Sequence, residues 1–296
     1  MLNFSCPSCK SKLEPSSNGL YCVSCRGQFQ VVQNIPILVE DFDQLESQLD
    51  ELRSVKPNWY QESQQNEMTS PWRHHLLKRR KYVQKLIREL QVDHFASKPL
   101  TILDLGCGDG NTLHWLAPFA QTLLATDYSL LRIGRAQQQG LDVDFALSNI
   151  YQLPIADGSI DIVFFNHVLE HLQDEVAALR EVQRILQTDG VLILGIPNEG
   201  SWWWQHAYKR DPASLANSDH VHFFTARSVT NLLTSLGFGI ESVKHLGWGP
   251  PDWALDARLR KYKTLDDLFS VLGQVLLPNQ ASSLYIQAHK NKLVNN

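Results

Sequence analysis

The run Leu100-Thr101-Ile102-Leu103-Asp104-Leu105-Gly106-Cys107-Gly108-Asp109-Gly110 decides the fold. Its first six residues read as an apolar strand. Its last five read as a turn in which three glycines at alternate positions let the backbone bend tightly and approach a ligand. A dinucleotide fold spaces its glycines G-x-G-x-x-G and aims a helix N-terminus at a pyrophosphate. Here the spacing is G-x-G-x-G, and Asp104 stands at the strand end. A carboxylate there repels phosphate and suits a ligand that carries positive charge. A second strand at residues 123–127 ends in Asp127, where an acid can accept from both hydroxyls of a ribose.

Outward from this run, short apolar strands alternate with amphipathic helices. Strands are expected at 143–146, 161–165, 191–196, 240–246 and 283–288. Between them, Ser129, Asp174 and Thr225 are placed to cap helices, and Val176, Leu179, Val182 and Leu186 recur at helical spacing. Such alternation implies an α/β fold with a parallel, doubly wound sheet, whose ligands bind beyond the carboxyl ends of the strands. Three regions follow: residues 1–42 with paired cysteines, 43–98 polar and helix-prone, and 99–296 with the sheet. At 296 residues and 43% apolar content the chain can bury a full core. A net charge of -4 gives no general attraction to nucleic acid. No run is long and apolar enough for a bilayer, and no export signal begins the chain, so a cytoplasmic protein without a membrane partner is expected.

With these residues in place, the chain resembles the class I S-adenosylmethionine-dependent methyltransferases over about residues 75 to 290. The resemblance implies a Rossmann-like sheet closed by an antiparallel C-terminal strand, and S-adenosylmethionine as cofactor. Asp104, Gly106, Cys107, Gly108 and Gly110 match the motif that holds the methionine end. Asp127, with Tyr128 beside it, matches the ribose-binding position, and Asn149-Ile150 the adenine-contacting one. The family more often carries Asp where Asn149 stands, but the Asn carbonyl can still accept from an adenine amino group. Asn166-His167-Val168-Leu169-Glu170-His171 matches a motif typical of small-molecule members and places Asn166 and His167 beside the cofactor. Pro197-Asn198-Glu199 also fits those members.

Methyl transfer is an in-line displacement at carbon, so alignment and exclusion of water are the main tasks. A hydroxyl or acidic-carbon acceptor gains from a general base, and His is the usual group near neutrality. The stretch Asp219-His220-Val221-His222-Phe223-Phe224-Thr225 resembles the His-x-Phe-Thr stretch of ubiquinone-type and sugar methyltransferases. An extended chain would point His220 and His222 the same way, with Asp219 orienting one of them. Both are candidate bases; a metal there lacks a convincingly spaced third ligand. Among Trp202, Trp203 and Trp204, three in a row, at least one is expected to face a pocket. The 247–282 connection is long enough for an inserted helical element.

Cys6-Pro7-Ser8-Cys9 and Cys22-Val23-Ser24-Cys25 are two C-x-x-C pairs separated by 12 residues. Two such knuckles complete a closed tetrahedral site of four thiolates, which is structural zinc chemistry. The segment resembles small zinc ribbons that partner or precede methyltransferases, including activators of RNA-modifying enzymes, and so offers a surface for a protein partner. A basic helix with Arg73, Lys78, Arg79, Arg80, Lys81, Lys85 and Arg88 either faces phosphates or solvates one side of a packed helix; the second reading is favoured. The leading function is methylation of a small-molecule or sugar acceptor. RNA methylation guided by the ribbon, and a non-catalytic scaffold, are the alternatives.

Overall fold

Every apolar run named above becomes a strand. The structure is a computed structural model and describes residues 3–64 and 67–290. The strands are β1 (Leu13–Ser16), β2 (Gly19–Cys22), β3 (Gln28–Phe29), β4 (Val31–Val32), β5 (Ile35–Leu38), β6 (Leu100–Leu105), β7 (Ala120–Asp127), β8 (Asp144–Ser148), β9 (Ile160–Asn166), β10 (Leu186–Pro197), β11 (Phe238–Leu246) and β12 (Ser283–Lys290). β1 to β3 form a small antiparallel sheet, and the others a nine-stranded sheet ordered β11-β12-β10-β9-β6-β7-β8-β5-β4. β8, β7, β6, β9 and β10 run parallel, while β12 is antiparallel to both β10 and β11. The order reverses between β6 and β9, which opens the switch-point crevice beside the glycine turn.

Helices cover both faces of the sheet, which is why β9 can be apolar without alternation. Successive side chains still face opposite ways. Leu103, Leu105, Val163 and Phe165 join a core with Leu179 and Val182, and Ile102, Ile162 and Phe164 join the other with Val83 and Ile87. The Asp174 carboxylate accepts from Ala177 N (2.8 Å), and Thr225 and Ser228 form a reciprocal capping box. Ser129 starts its helix without a side-chain cap bond; its amide donates to Asp127 instead. The 247–282 connection holds two helices, Trp253–Arg260 and Lys263–Leu276.

The basic helix, Arg73–Glu89, packs inward through Val83, Leu86 and Ile87. Arg79 is buried and donates to the Tyr285 hydroxyl (2.8 Å), Lys78 pairs with Asp266 (2.6 Å), and Arg80 pairs with Glu67. These three cations are therefore occupied within the chain.

One strand does more than its sequence suggested. The run Ile35-Pro36-Ile37-Leu38 leaves the ribbon and enters the main sheet, pairing Ile37 with Leu147 and Leu38 with Ser148 in parallel. All four residues are buried, as an apolar run covered on both faces requires. Phe4, Cys6, Leu13, Leu20 and Phe29 share one core cluster with Leu153 and Ile155 of the main sheet's loops.

Candidate active site

The glycine turn after β6 is shaped by φ values that L side chains seldom adopt. Gly106 has φ 76° and Gly108 φ 54°. A Cβ on Gly106 would stand 2.5 Å from Val168, and one on Gly108 2.7 Å from Gln64. The amides of Gly106 and Cys107 both donate to Thr126 O (2.8 and 3.0 Å), tying the turn to the end of β7. The Asp127 carboxylate accepts from Gly108 N and Ser129 N, each at 2.9 Å. Burial raises the Asp127 pKa, against which these amide bonds pull it down. Each carboxylate oxygen keeps a further lone pair for a ligand hydroxyl.

Asp104 lies behind the turn and accepts from the Thr112 hydroxyl (2.8 Å). Burial, with the neighbouring Asp127 charge adding to it, raises its pKa to about 7. The sign follows. Between its ordinary value of 3.8 and about 7 the folded protein keeps a proton that the unfolded chain has lost, so this group costs stability progressively as pH rises through that window. A cationic ligand favours the carboxylate. We expect S-adenosylmethionine affinity to fall as pH drops below about 7, with a proton released on binding. Calorimetry at pH 6 and pH 8, in buffers of different ionisation heat, checks this; equal affinities would detach Asp104 from the ligand's charge.

A cavity of about 660 Å³ opens beyond the strand ends. Gly106, Gly108, Asp127, Tyr128, Asn149 and Ile150 line it together with His167, Glu170, His171 and His220. Asp104, Cys107, Gly110 and Asn166 are not in its wall. Asn166 is turned away because its Oδ1 accepts from the Tyr285 hydroxyl (2.9 Å) and faces Arg79 (3.4 Å). Asn149 accepts from Tyr151 N (2.9 Å) and so shapes its own loop. Tyr60 and Gln64, from the helix-prone segment, also reach the cavity.

His167, Glu170, His171 and His220 form a group of titratable side chains in the cavity wall. Glu170 has no exposed surface, and neither of its carboxylate oxygens is hydrogen-bonded among the described residues. Burial raises its pKa. His167, in the left-handed region at φ 55°, brings Nδ1 to 3.2 Å from Glu170 Oε1. Burial pushes the pKa values of His167 and His171 below the ordinary imidazole value. His220 goes the other way. Burial opposes its charge, but the bond of Nδ1 to both oxygens of Glu199 (2.7 Å each) prevails and lifts its pKa. Glu199 is itself fully buried and receives the Tyr208 hydroxyl.

The two histidines expected to point the same way are separated. Residues 218–225 form no strand, and the amides of Val221 and His222 both bond to Glu170 O (2.9 and 3.2 Å), so the chain kinks between them. His222 turns to Leu172 O (2.9 Å) and Glu175 (3.0 Å), outside the cavity. Asp219 does not orient His220. It pairs with Lys56 (2.7 Å) and the Tyr60 hydroxyl, while Glu199 takes the orienting role. The rings of His171 and His220 lie edge to face at 4.6 Å, and Glu170 comes within 4.8 Å of their ligand atoms. Glu170, His171 and His220 are thus brought together from two motifs, a set that spacing in the sequence does not announce. Trp203 is buried against Trp253, while Trp202 is exposed and stacks on His206.

In the ribbon, one Sγ from each of Cys6, Cys9, Cys22 and Cys25 lies within 4.8 Å of the others. Cys6 and Cys25 are 3.6 Å apart, and Cys9 and Cys22 3.3 Å. Thiolates at about 2.3 Å around a tetrahedral ion sit roughly 3.8 Å apart, so the donor set fits. Each knuckle ends in a left-handed residue, Lys10 at φ 60° and Arg26 at φ 62°, whose amide bonds back to the first cysteine's carbonyl.

Residues 103–194 match the family described as Methyltransferase domain. A Mycobacterium tuberculosis protein named as an S-adenosylmethionine-dependent methyltransferase is 30% identical over 157 residues, covering 53% of this chain and 55% of that protein. The malonyl-[acyl-carrier protein] O-methyltransferase of Yersinia pestis is 33% identical over 101 residues, 34% of this chain and 38% of its own. The chain thus spans about half the length, or less, of these curated relatives. Among solved structures, magnesium protoporphyrin IX methyltransferase from Synechocystis PCC 6803 with bound SAH superposes with a TM-score of 0.54 at 18% identity, covering 83% of this chain and 99% of that one. That likeness is one of fold.

Proposed function

We propose, from the premise that residues 103–194 are a methyltransferase domain of the S-adenosylmethionine-dependent kind, that the protein is an enzyme that transfers the methyl group of S-adenosylmethionine to a small-molecule or sugar-type acceptor. One observation carries the proposal. The Gly106–Gly108 turn, tied to Asp127, opens into the same cavity as an imidazole held by a buried carboxylate. The first half is a cradle for a nucleoside with a cationic tail. The second half is a proton acceptor for a hydroxyl.

In this reading the methionine end lies against Gly106 and Gly108, the ribose on Asp127, and the adenine beside Asn149 and Ile150. The acceptor stands among His167, Glu170, His171 and His220. Glu199 takes the Nδ1 proton of His220 as a hydrogen bond and leaves Nε2 as the base. S-adenosylmethionine, when bound, would supply an activated methyl group whose C–S electron pair stays with sulfur, and Nε2 of His220 would accept the proton of the acceptor hydroxyl. The lowered pKa values of His167 and His171 keep these two imidazoles uncharged near neutrality, and burial favours the protonated form of Glu170. The ribbon's four thiolates would hold a structural zinc. Nucleic acid is not favoured as the acceptor, because Lys78, Arg79 and Arg80 are engaged internally.

Titration calorimetry with S-adenosylmethionine tests the cradle and should give saturable one-to-one binding. A methyl-transfer screen over hydroxylated small molecules and sugars then tests the acceptor. Binding with turnover only on RNA would replace the acceptor class, and absence of binding by the zinc-loaded chain would remove the enzyme reading.

A further inference from the structure

We infer that the ribbon is a working part of the cofactor pocket: its metal-folded knuckle and the strand that leaves it clamp the loop at 149–155, so that metal occupancy sets S-adenosylmethionine affinity, with Lys10 as the positioning residue. The ligand named here rests on the reading above; the clamp does not.

The loop leaves β8 at Ser148 and turns at once. Asn149 Oδ1 accepts from Tyr151 N (2.9 Å), and Asn149 O accepts from Gln152 N (3.0 Å). Residues 149–152 line the cavity, and Leu153 and Ile155 are fully buried. The ribbon grips this loop at two points. Lys10, the residue after Cys9, sends its ammonium to Leu153 O (3.0 Å), and Ser5 N donates to Pro154 O (2.8 Å).

Lys10 reaches Leu153 because the knuckle holds it there. Its φ of 60° is unfavourable for a side-chain-bearing residue, and its amide is held by Cys6 O (2.9 Å). A sheet as small as β1 to β3 has little core of its own, so four metal–thiolate bonds supply much of the energy that keeps this turn. Without the metal, Lys10 loses its reason to stay left-handed, and both grips on the loop go with it.

The strand leaving the ribbon supplies the opposite jaw. β5 lies along β8 as far as Leu38 and Ser148. Immediately after it, Val39, Leu45 and Gln48 line the cavity, and Glu40 accepts from the Gln152 amide (3.3 Å). The adenine-side wall is thus built from both ends of the chain's first half.

A second support tempers the effect. From the helix Glu175–Ile185, Glu181 accepts from Leu153 N (2.8 Å), while Arg184 donates to Leu153 O (3.1 Å) and Ile155 O (2.7 Å). Loss of the ribbon's grip should therefore loosen the loop without unfolding the domain.

The test uses the full zinc-loaded chain, the same chain stripped by a chelator, and the variants Cys22→Ser and Lys10→Met. Hydrogen exchange across 149–155 reads the clamp without any cofactor. Calorimetry with S-adenosylmethionine reads its consequence. Stripping and Cys22→Ser should each speed exchange at 149–155 and weaken the cofactor by about tenfold, the worth of a hydrogen bond to a charged group. Lys10→Met should keep stoichiometric zinc and weaken the cofactor by about fivefold. Unchanged protection of 149–155 in the stripped chain overturns the clamp, whether or not cofactor binds. Unchanged affinity in Lys10→Met overturns the positioning role. Faster exchange on stripping, in a chain that never binds the cofactor, upholds the clamp and defeats the methyl-transfer reading instead.

Discussion

Asp127→Ala is expected to weaken S-adenosylmethionine by roughly a thousandfold while the protein remains folded. The carboxylate does two things at once. It holds the Gly108 amide, which fixes the turn, and the Ser129 amide, which fixes the start of the next helix. In the proposed reading it also offers its remaining lone pairs to the ribose. Alanine strands both amides and removes the acceptor. Stability suffers less than binding, because the same burial that raises the Asp127 pKa is a cost that alanine does not bear. Calorimetry gives the affinity and a thermal melt the stability. An affinity within threefold of the parent would mean that the ribose lies elsewhere.

The second large effect is on turnover. His220→Ala should lower kcat by about a thousandfold with cofactor affinity little changed, as expected for loss of a general base. Glu199→Gln tests the pair behind it. Glutamine keeps the shape but not the charge that lifts the His220 pKa. As the proposed base, His220 would work only unprotonated, so the parent's rate should rise as pH climbs through that raised value. In Glu199→Gln this limb should move to lower pH while the plateau falls by about a hundredfold. The ion pair contributes fully below the ordinary imidazole value of 6.5 and is lost as pH rises through the raised folded value, so Glu199→Gln should destabilise most in acid. A kcat profile that does not move would leave Glu199 a packing residue only.

What could be read from the chain was what is local. The glycine turn, its carboxylate and the alternation of strands are each written in a few adjacent residues, and the sheet follows from them. What could not be read was pairing between distant segments. Glu199 and His220 are joined by tertiary folding, and nothing in their spacing announces it. The alternation of His220 and His222 predicted a shared direction that holds only for extended chain; two amides gathered on Glu170 O broke it. Asn166 matched a motif by position, yet Tyr285 and Arg79, which claim its carbonyl, lie far off in sequence. Ile35–Leu38 pairs with β8, more than a hundred residues away, and nothing in the apolar run itself names that neighbour.

That neighbour bears on how the protein is made. On the ribosome the cysteine pairs emerge before the strand that follows them, and that strand emerges long before the segment it must lie against. Until β8 is synthesised, Ile35–Leu38 is an apolar edge with nothing to cover it, and such edges invite pairing with other chains. Early capture of zinc by the nascent ribbon would fold the stretch just upstream and hold the waiting strand apart from its counterparts. Cells short of the metal during translation should therefore show this protein in inclusion bodies, even where the finished molecule tolerates the metal's removal.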